Sequence, residues 1–254
     1  MTPTDPRDLL KAYSEKQVTG DQVMRGLAEH KGWYVPALFA VDRLKTELCD
    51  HAIIFSSEFE AQPNKLLIFT DAVAAHRADG HRLGVFSSAF SGSHIFAALD
   101  ARYESVSVNP CSPQSESWFI DREGFALANL WGQVVELEKA LSSDPGSDAL
   151  YARLAAHEGF IILVNQENLP IDVSVPNIEG KSAIAFTAPD QCDAFMAKRS
   201  DAERARLKRV TISGALMFKQ LQNFDLAGIL LNIGTNGVVL SKDKFPLICA
   251  AAGV

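Results

Sequence analysis

The sequence predicts an α+β protein of two pseudo-symmetric repeats, each a mixed sheet of about five strands with two or three helices. Three matches in the same order carry this reading. K-L-L-I-F-T-D from Lys65 is answered by S-A-I-A-F-T-A from Ser182, which sets Phe69-Thr70 on Phe186-Thr187. S-G-S-H-I-F-A-A-L from Ser91 is answered by S-G-A-L-M-F-K-Q-L from Ser213. Upstream, L-A-E-H-K-G-W from Leu27 pairs with L-A-A-H-E-G-F from Leu154. Each copy of the first phrase is followed by a helix-like segment.

Taken in order, Asp5-Pro6 supplies an N-cap and a proline at the first helical position, opening a short helix through Leu9, Leu10 and Tyr13. Thr19, with Gln22 three residues on, forms a capping box for a second helix that turns Val23, Met24 and Leu27 inward and that Gly32 ends. Residues 33–40 read as a strand, with Pro36 near an edge or bulge. Strands follow at 52–56 and 65–70, the latter with a continuous apolar run from Leu66 to Phe69, as in a strand buried on both faces. Asp71 caps the next helix, because its carboxylate can accept from the orphan amides of the first turn. A strand over 82–87 leads to a helix from Ser91 with Ile95, Phe96, Leu99 and Tyr103 on one stripe. Strands at 106–109 and 118–121 and a linking helix over 127–141 close the first half.

S-S-D-P-G-S-D from Ser142 is the clearest boundary. The division is an N-terminal helix over 1–19, a first repeat over 20–127, a linking helix and linker over 128–147, and a second repeat over 148–254. The second repeat reads as a helix over 148–159 and strands at 160–164, 171–175 and 182–187. A long polar helix over 189–207 and a strand over 209–212 come next, then a helix from Gly214 and strands at 229–232 and 238–241. Asn236-Gly237 is a hairpin signal, since both residues tolerate positive φ. Asn109 aligns with Asn232 and Phe125 with Phe245.

The whole-chain properties exclude several classes. A formal net charge of -7 opposes general affinity for nucleic acid or anionic membrane. No apolar run reaches spanning length, and no signal peptide is expected at the N-terminus. Cys49, Cys111, Cys192 and Cys249 are scattered without a C-x-x-C pair, as in a reducing compartment. The expected location is the cytoplasm, with no cofactor.

Ser91-Gly92 and Ser213-Gly214 each start a helix, where free amides and the dipole favour an anion. Serine capping with glycine easing the approach is the simpler account. Cys111 lies in a polar loop, Asn109-Pro110-Cys111-Ser112-Pro113. It would be a nucleophile only if a base lowered its pKa, and no spacing ties His51 or His94 to it. His30 and His157 match across the copies and read as donors or cations at helix C-termini. Cys49 and His51 have no second pair, so no zinc site is expected. The basic run Lys198, Arg199, Arg204, Arg206, Lys208 and Arg209 is broken by Asp201 and Glu203 and reads as a solvated helix end, not a nucleic-acid patch.

The first copy resembles the SseB N-terminal-domain family, named from the bacterial enhanced-serine-sensitivity protein. The resemblance lies in the strand ending Phe69-Thr70-Asp71, the helix from Ser91-Gly92 to Leu99, and the strand running into Asn109-Pro110 with Ser112 beyond. It covers about residues 33–127 and, more faintly, 160–248, where Ala188 replaces the aspartate and Ile233 the proline. SseB-type chains carry a different C-terminal domain, whereas this one repeats the first. The resemblance implies a bacterial cytoplasmic protein without established catalysis, sometimes linked by name to secretion systems, and it brings no catalytic residues.

The resulting expectation is a non-catalytic protein-binding or adaptor module. Its binding positions are Thr70, Asp71, Ser91, Gly92 and Asn109 of the first copy and Thr187, Ser213, Gly214 and Asn232 of the second, walling a paired cleft. A partner would meet an exposed apolar patch around Trp33, Tyr34 or Trp131. The alternatives are a small-molecule or anion-binding regulator using the two helix starts and a thiol enzyme using Cys111.

Overall fold

The computed structural model describes residues 5–37, 65–79, 85–99, 103–144, 146–175, 179–234 and 237–253. The expected strand over 52–56 and Asn236 of the hairpin signal lie outside them. The chain divides into two compact units, Met1–Glu136 and Leu137–Val254. Both mix helices and strands, so the fold is α+β. Among the described residues no helix is long and apolar enough to cross a membrane.

In unit 1, helices α1 (Pro6–Ser14) and α2 (Gly20–Glu29) open as their caps dictate. Asp5 accepts from the Arg7 amide at 2.9 Å, and Thr19 and Gln22 form the reciprocal capping box. Strands β1 (Lys31–Ala37), β2 (Lys65–Ile68), β3 (Val85–Ser91), β4 (Ser105–Val108) and β5 (Trp118–Asp121) alternate with α3 (Ala72–Asp79) and α4 (Gly92–Ala97), before α5 (Phe125–Ser143). β4 lies parallel to β2 and antiparallel to β5, giving the order β2-β4-β5; β1 and β3 pair antiparallel. An antiparallel bridge, Tyr34 to Phe69, joins the two sets.

Unit 2 has α6 (Asp148–Ala156), β6 (Phe160–Val164), β7 (Asp172–Ser174), β8 (Lys181–Phe186), α7 (Pro189–Met196), α8 (Asp201–Arg204), β9 (Lys208–Ile212), α9 (Gly214–Leu221), β10 (Gly228–Leu231), β11 (Val238–Ser241) and α10 (Phe245–Ala251). Its sheet runs β11-β10-β8-β6-β9, with β7 against β8 and only β8/β10 parallel. β6 is buried along its whole length because helices pack against it from both faces. On one face Ile162, Ala185 and Ile229 meet Leu154, Phe218 and Ile248 of α6, α9 and α10. On the other, Leu163, Ile184 and Phe186 meet Cys192, Phe195 and Met196 of the single helix α7.

Four expectations are corrected. The polar helix over 189–207 is two helices, because Ser200 adopts an extended N-cap conformation and closes a new capping box with Glu203. Gly32 does not end α2; His30 caps it, and Gly32 (φ 86°) sits inside β1 at a register shift that a left-handed residue permits. Trp33 and Trp131 form no exposed patch, being 0% and 1% exposed. Their indole nitrogens donate inward, to Leu27 O at 3.3 Å and to Asp21 Oδ1 at 3.2 Å. Ser213, finally, starts α9 without a side-chain cap.

Candidate functional site

In each unit, several of the predicted positions join in one hydrogen-bonded chain that ties a strand end to a helix end and a helix start. In unit 1 the β4 strand stops at Asn109, whose φ of 50° turns the backbone into the following loop. Asparagine tolerates that left-handed conformation, which most side chains resist. Its side-chain oxygen accepts from the Thr70 amide at 2.9 Å, and its side-chain nitrogen donates to Thr70 Oγ1 at 3.0 Å and Glu116 O at 2.9 Å. The Thr70 carbonyl lies 3.0 Å from His30 Nε2, and the His30 carbonyl accepts from the Gly92 amide at 2.8 Å.

Unit 2 contains the same contacts. Asn232 (φ 55°) accepts from the Thr187 amide at 2.9 Å and donates to Thr187 Oγ1 at 2.9 Å. Thr187 O lies 2.9 Å from His157 Nε2, and His157 O accepts from the Gly214 amide at 2.7 Å. Each imidazole sits edge-on to an aromatic ring three residues later, His30 on Trp33 at 5.0 Å and His157 on Phe160 at 4.6 Å.

Of the two roles expected for these histidines at the helix ends, donor or cation, the structure favours the donor and directs it to a threonine carbonyl beyond the helix. Burial lowers the pKa of both below the ordinary 6.5, which favours the neutral ring donating to the threonine carbonyl. The signal for this role is the histidine–aromatic spacing common to both units. Their partners are not legible from it.

Of the nine predicted positions, Thr70, Gly92, Asn109, Thr187, Gly214 and Asn232 are buried, while Asp71, Ser91 and Ser213 are partly exposed. Asp71 Oδ1 caps α3 through the Val73 and Ala74 amides at 2.8 and 2.9 Å, and its carboxylate pairs with the Arg7 guanidinium. Burial opposes the charge of this carboxylate. The Arg7, Ala74 and Thr70 hydrogen bonds outweigh it and hold the pKa at about 2. Unit 2 has Ala188 at this position, and Glu138 of α5 accepts from Thr187 Oγ1 at 2.8 Å instead. Ser91 Oγ accepts from the His94 amide and contacts Ser93 Oγ at 3.1 Å; Ser93 in turn donates to the buried Glu136 at 2.7 Å.

Neither helix start presents a free first amide, since Gly92 N and Gly214 N are bonded to the histidine carbonyls. The glycines themselves are required by close approach. A Cβ at Gly92 would lie 2.0 Å from Leu27 O, and one at Gly214 1.8 Å from Leu154 O.

Cys111 is half-buried in the loop after β4, where Arg77 bonds Ser112 and Glu116 at 3.4 and 2.9 Å. His94 pairs with Glu136 at 3.4 Å. Among the described residues no group of three or more His, Cys, Asp or Glu is placed to hold a metal.

The exposed apolar surface lies elsewhere. Beside β5, a groove of about 1000 Å³ runs between α1 and the β4–β5 end, lined by Leu10, Tyr13, Pro110, Trp118 and Phe119. Tyr13 and Trp118 stack tilted at 5.3 Å, and Phe119 is 54% exposed with Lys65 Nζ 5.9 Å from its ring centroid. β5 ends its sheet, and among the described residues its outer edge pairs with no strand.

The fold and these two chains of contacts define an α+β protein. Comparison with protein-family models, with curated proteins and with solved structures finds no significant match.

Proposed function

We propose that the chain is a non-catalytic adaptor of the bacterial cytoplasm, built from two diverged copies of an SseB N-terminal-type module and binding a protein partner. The β5 groove is the observation that carries it. An extended peptide can add main-chain hydrogen bonds to an unpaired strand edge while its apolar side chains enter the adjoining groove. Tyr13, Trp118 and Phe119 supply the aromatic anchors that dominate such interfaces. The two matching Asn–Thr–His–Gly chains support common descent of the units, because contacts of this kind fix a backbone and not a ligand.

The alternative of an anion at the two helix starts has less support, since their first amides already donate to histidine carbonyls. The thiol-enzyme alternative has less still, with His94 paired to Glu136.

Native mass spectrometry of the tagged chain isolated from its host, compared with Phe119→Asp and Tyr13→Ser variants, tests the proposal. A stoichiometric protein retained by the original chain and lost from both variants is the expected result. Recovery of the bare chain, or equal retention by the variants, overturns it.

A further inference from the structure

The second face of the unit 2 sheet is incompletely covered. α7 is eight residues long and ends at Met196, and Ser200 then starts the four-residue α8. Beyond the reach of α7, a pocket of about 400 Å³ remains between α7, α8 and β7. Its floor is apolar, formed by Leu163, Ile184 and Phe195 with the partly buried Ile171, Val173 and Leu207. A cavity of that size with an apolar floor and few polar groups has the character of a small-ligand site.

The rim is polar on one side. Glu203 is its acid, and that carboxylate is engaged: Oε2 accepts from the Ser200 amide and hydroxyl at 2.9 and 2.8 Å, and Oε1 lies 3.6 Å from Arg199. Arg199 also lies 4.5 Å over the Phe195 ring. Arg206 has no ion-pair partner among the described residues and is exposed at the pocket mouth. Asn165 accepts from the Glu167 and Leu169 amides through its oxygen, which leaves its amide nitrogen without a bond to the described residues. The mouth therefore offers a guanidinium and an amide donor over an apolar floor.

We infer that unit 2 binds a small amphipathic carboxylate, with an acyl or aryl body on the Leu163–Ile184–Phe195 floor and its carboxylate at Arg206 and Asn165. The complementarity is of both kinds at once: apolar surface for the body and charge-assisted hydrogen bonds for the head. This pocket lies within unit 2 and is independent of the β5 groove of unit 1.

Octanoate and 1-octanol, which share a tail and differ in head charge, are the probes. Titration of the full chain followed by amide and methyl NMR is expected to show octanoate shifts confined to residues around Leu163, Ile171, Val173 and Leu207. Octanol should bind more weakly at the same place. Arg206→Ala, a substitution at an exposed side chain, is expected to weaken octanoate about three- to tenfold and leave octanol unchanged. Equal binding of the two probes, or an unaffected Arg206→Ala, overturns the carboxylate assignment. Shifts at the β5 groove alone, or none at millimolar probe, overturn the site itself. A failed partner interaction at Phe119 leaves these readouts intact, so the two proposals fail separately.

Discussion

Asn109 holds Thr70 from across the sheet end, its amide oxygen 2.9 Å from the Thr70 backbone nitrogen and its amide nitrogen 3.0 Å from the threonine hydroxyl. Asn232 does the same for Thr187, at 2.9 Å in both contacts. One side chain thereby satisfies a buried backbone donor just past the end of β2 or β8 while its own backbone turns through positive φ. Both functions belong to asparagine.

Replacing either asparagine with alanine leaves a buried amide unpaired and puts a Cβ-bearing residue without local hydrogen bonding into the left-handed region. Asn232→Ala is expected to destabilise unit 2 by roughly 2–4 kcal/mol. Urea unfolding measures it, and a change below about 0.5 kcal/mol would show that the contact contributes little.

Gly92 and Gly214 are constrained by backbone atoms, not by mobile side chains. Gly214→Ala would put its Cβ 1.8 Å from Leu154 O, so α9 must separate from α6. The expected loss exceeds about 2 kcal/mol. Gly146, whose Cβ would meet nothing within 4 Å, is the matched control and should tolerate alanine with almost no change in melting temperature.

The pH dependence of stability divides into two windows. His30 and His157 have folded-state pKa values lowered by burial, so the unfolded chain binds more protons than the folded one below the ordinary 6.5. Stability is full above that value and falls as the pH drops through it, until the lowered folded pKa is passed. His157→Gln should flatten this slope in denaturation curves taken between about pH 7 and pH 5. A slope identical to that of the original chain would mean that His157 is not buried as a neutral ring.

Asp71 acts in a lower window. Its folded pKa of about 2 lies below the ordinary 3.8, so its contribution is present above 3.8 and disappears as the pH falls towards 2. Asp71→Asn should remove that acid-limb slope and leave the histidine window unchanged. Loss of both slopes in this variant would contradict the separation.

Thiol chemistry follows burial. Burial pushes the Cys192 thiol up to about 11, and Cys249 is 5% exposed with Gln222 donating to its sulfur at 3.1 Å. Iodoacetamide near neutral pH is expected to leave both unlabelled in the native chain and to label both in denaturant, read by peptide mass spectrometry. Rapid native labelling of Cys192 would show that α7 opens readily.

The sequence by itself determined the local geometry. Asp5, Thr19 with Gln22, and Asp71 cap the helices they precede, because each cap is a hydrogen bond to an amide within three residues. The apolar runs at 66–68 and 160–164 became strands, since β-branched and aliphatic side chains suit a sheet buried on both sides. The break at Ser200 was also written locally, in Ser200 and Glu203, but the surrounding helix-forming residues masked it.

Only the tertiary structure decided what the matching polar residues of the two units do. The same asparagine or histidine reads alike in a binding site or inside a fold; its role depends on a partner far along the chain. Asn109 finds Thr70 across 39 residues, and His30 finds the Thr70 carbonyl across 40. Trp33 and Trp131 were assigned to the surface for the same reason, since burial depends on which helices pack over a side chain. The β5 groove and the α7–α8 pocket are spaces left between elements, and the packing of the elements around them defines both.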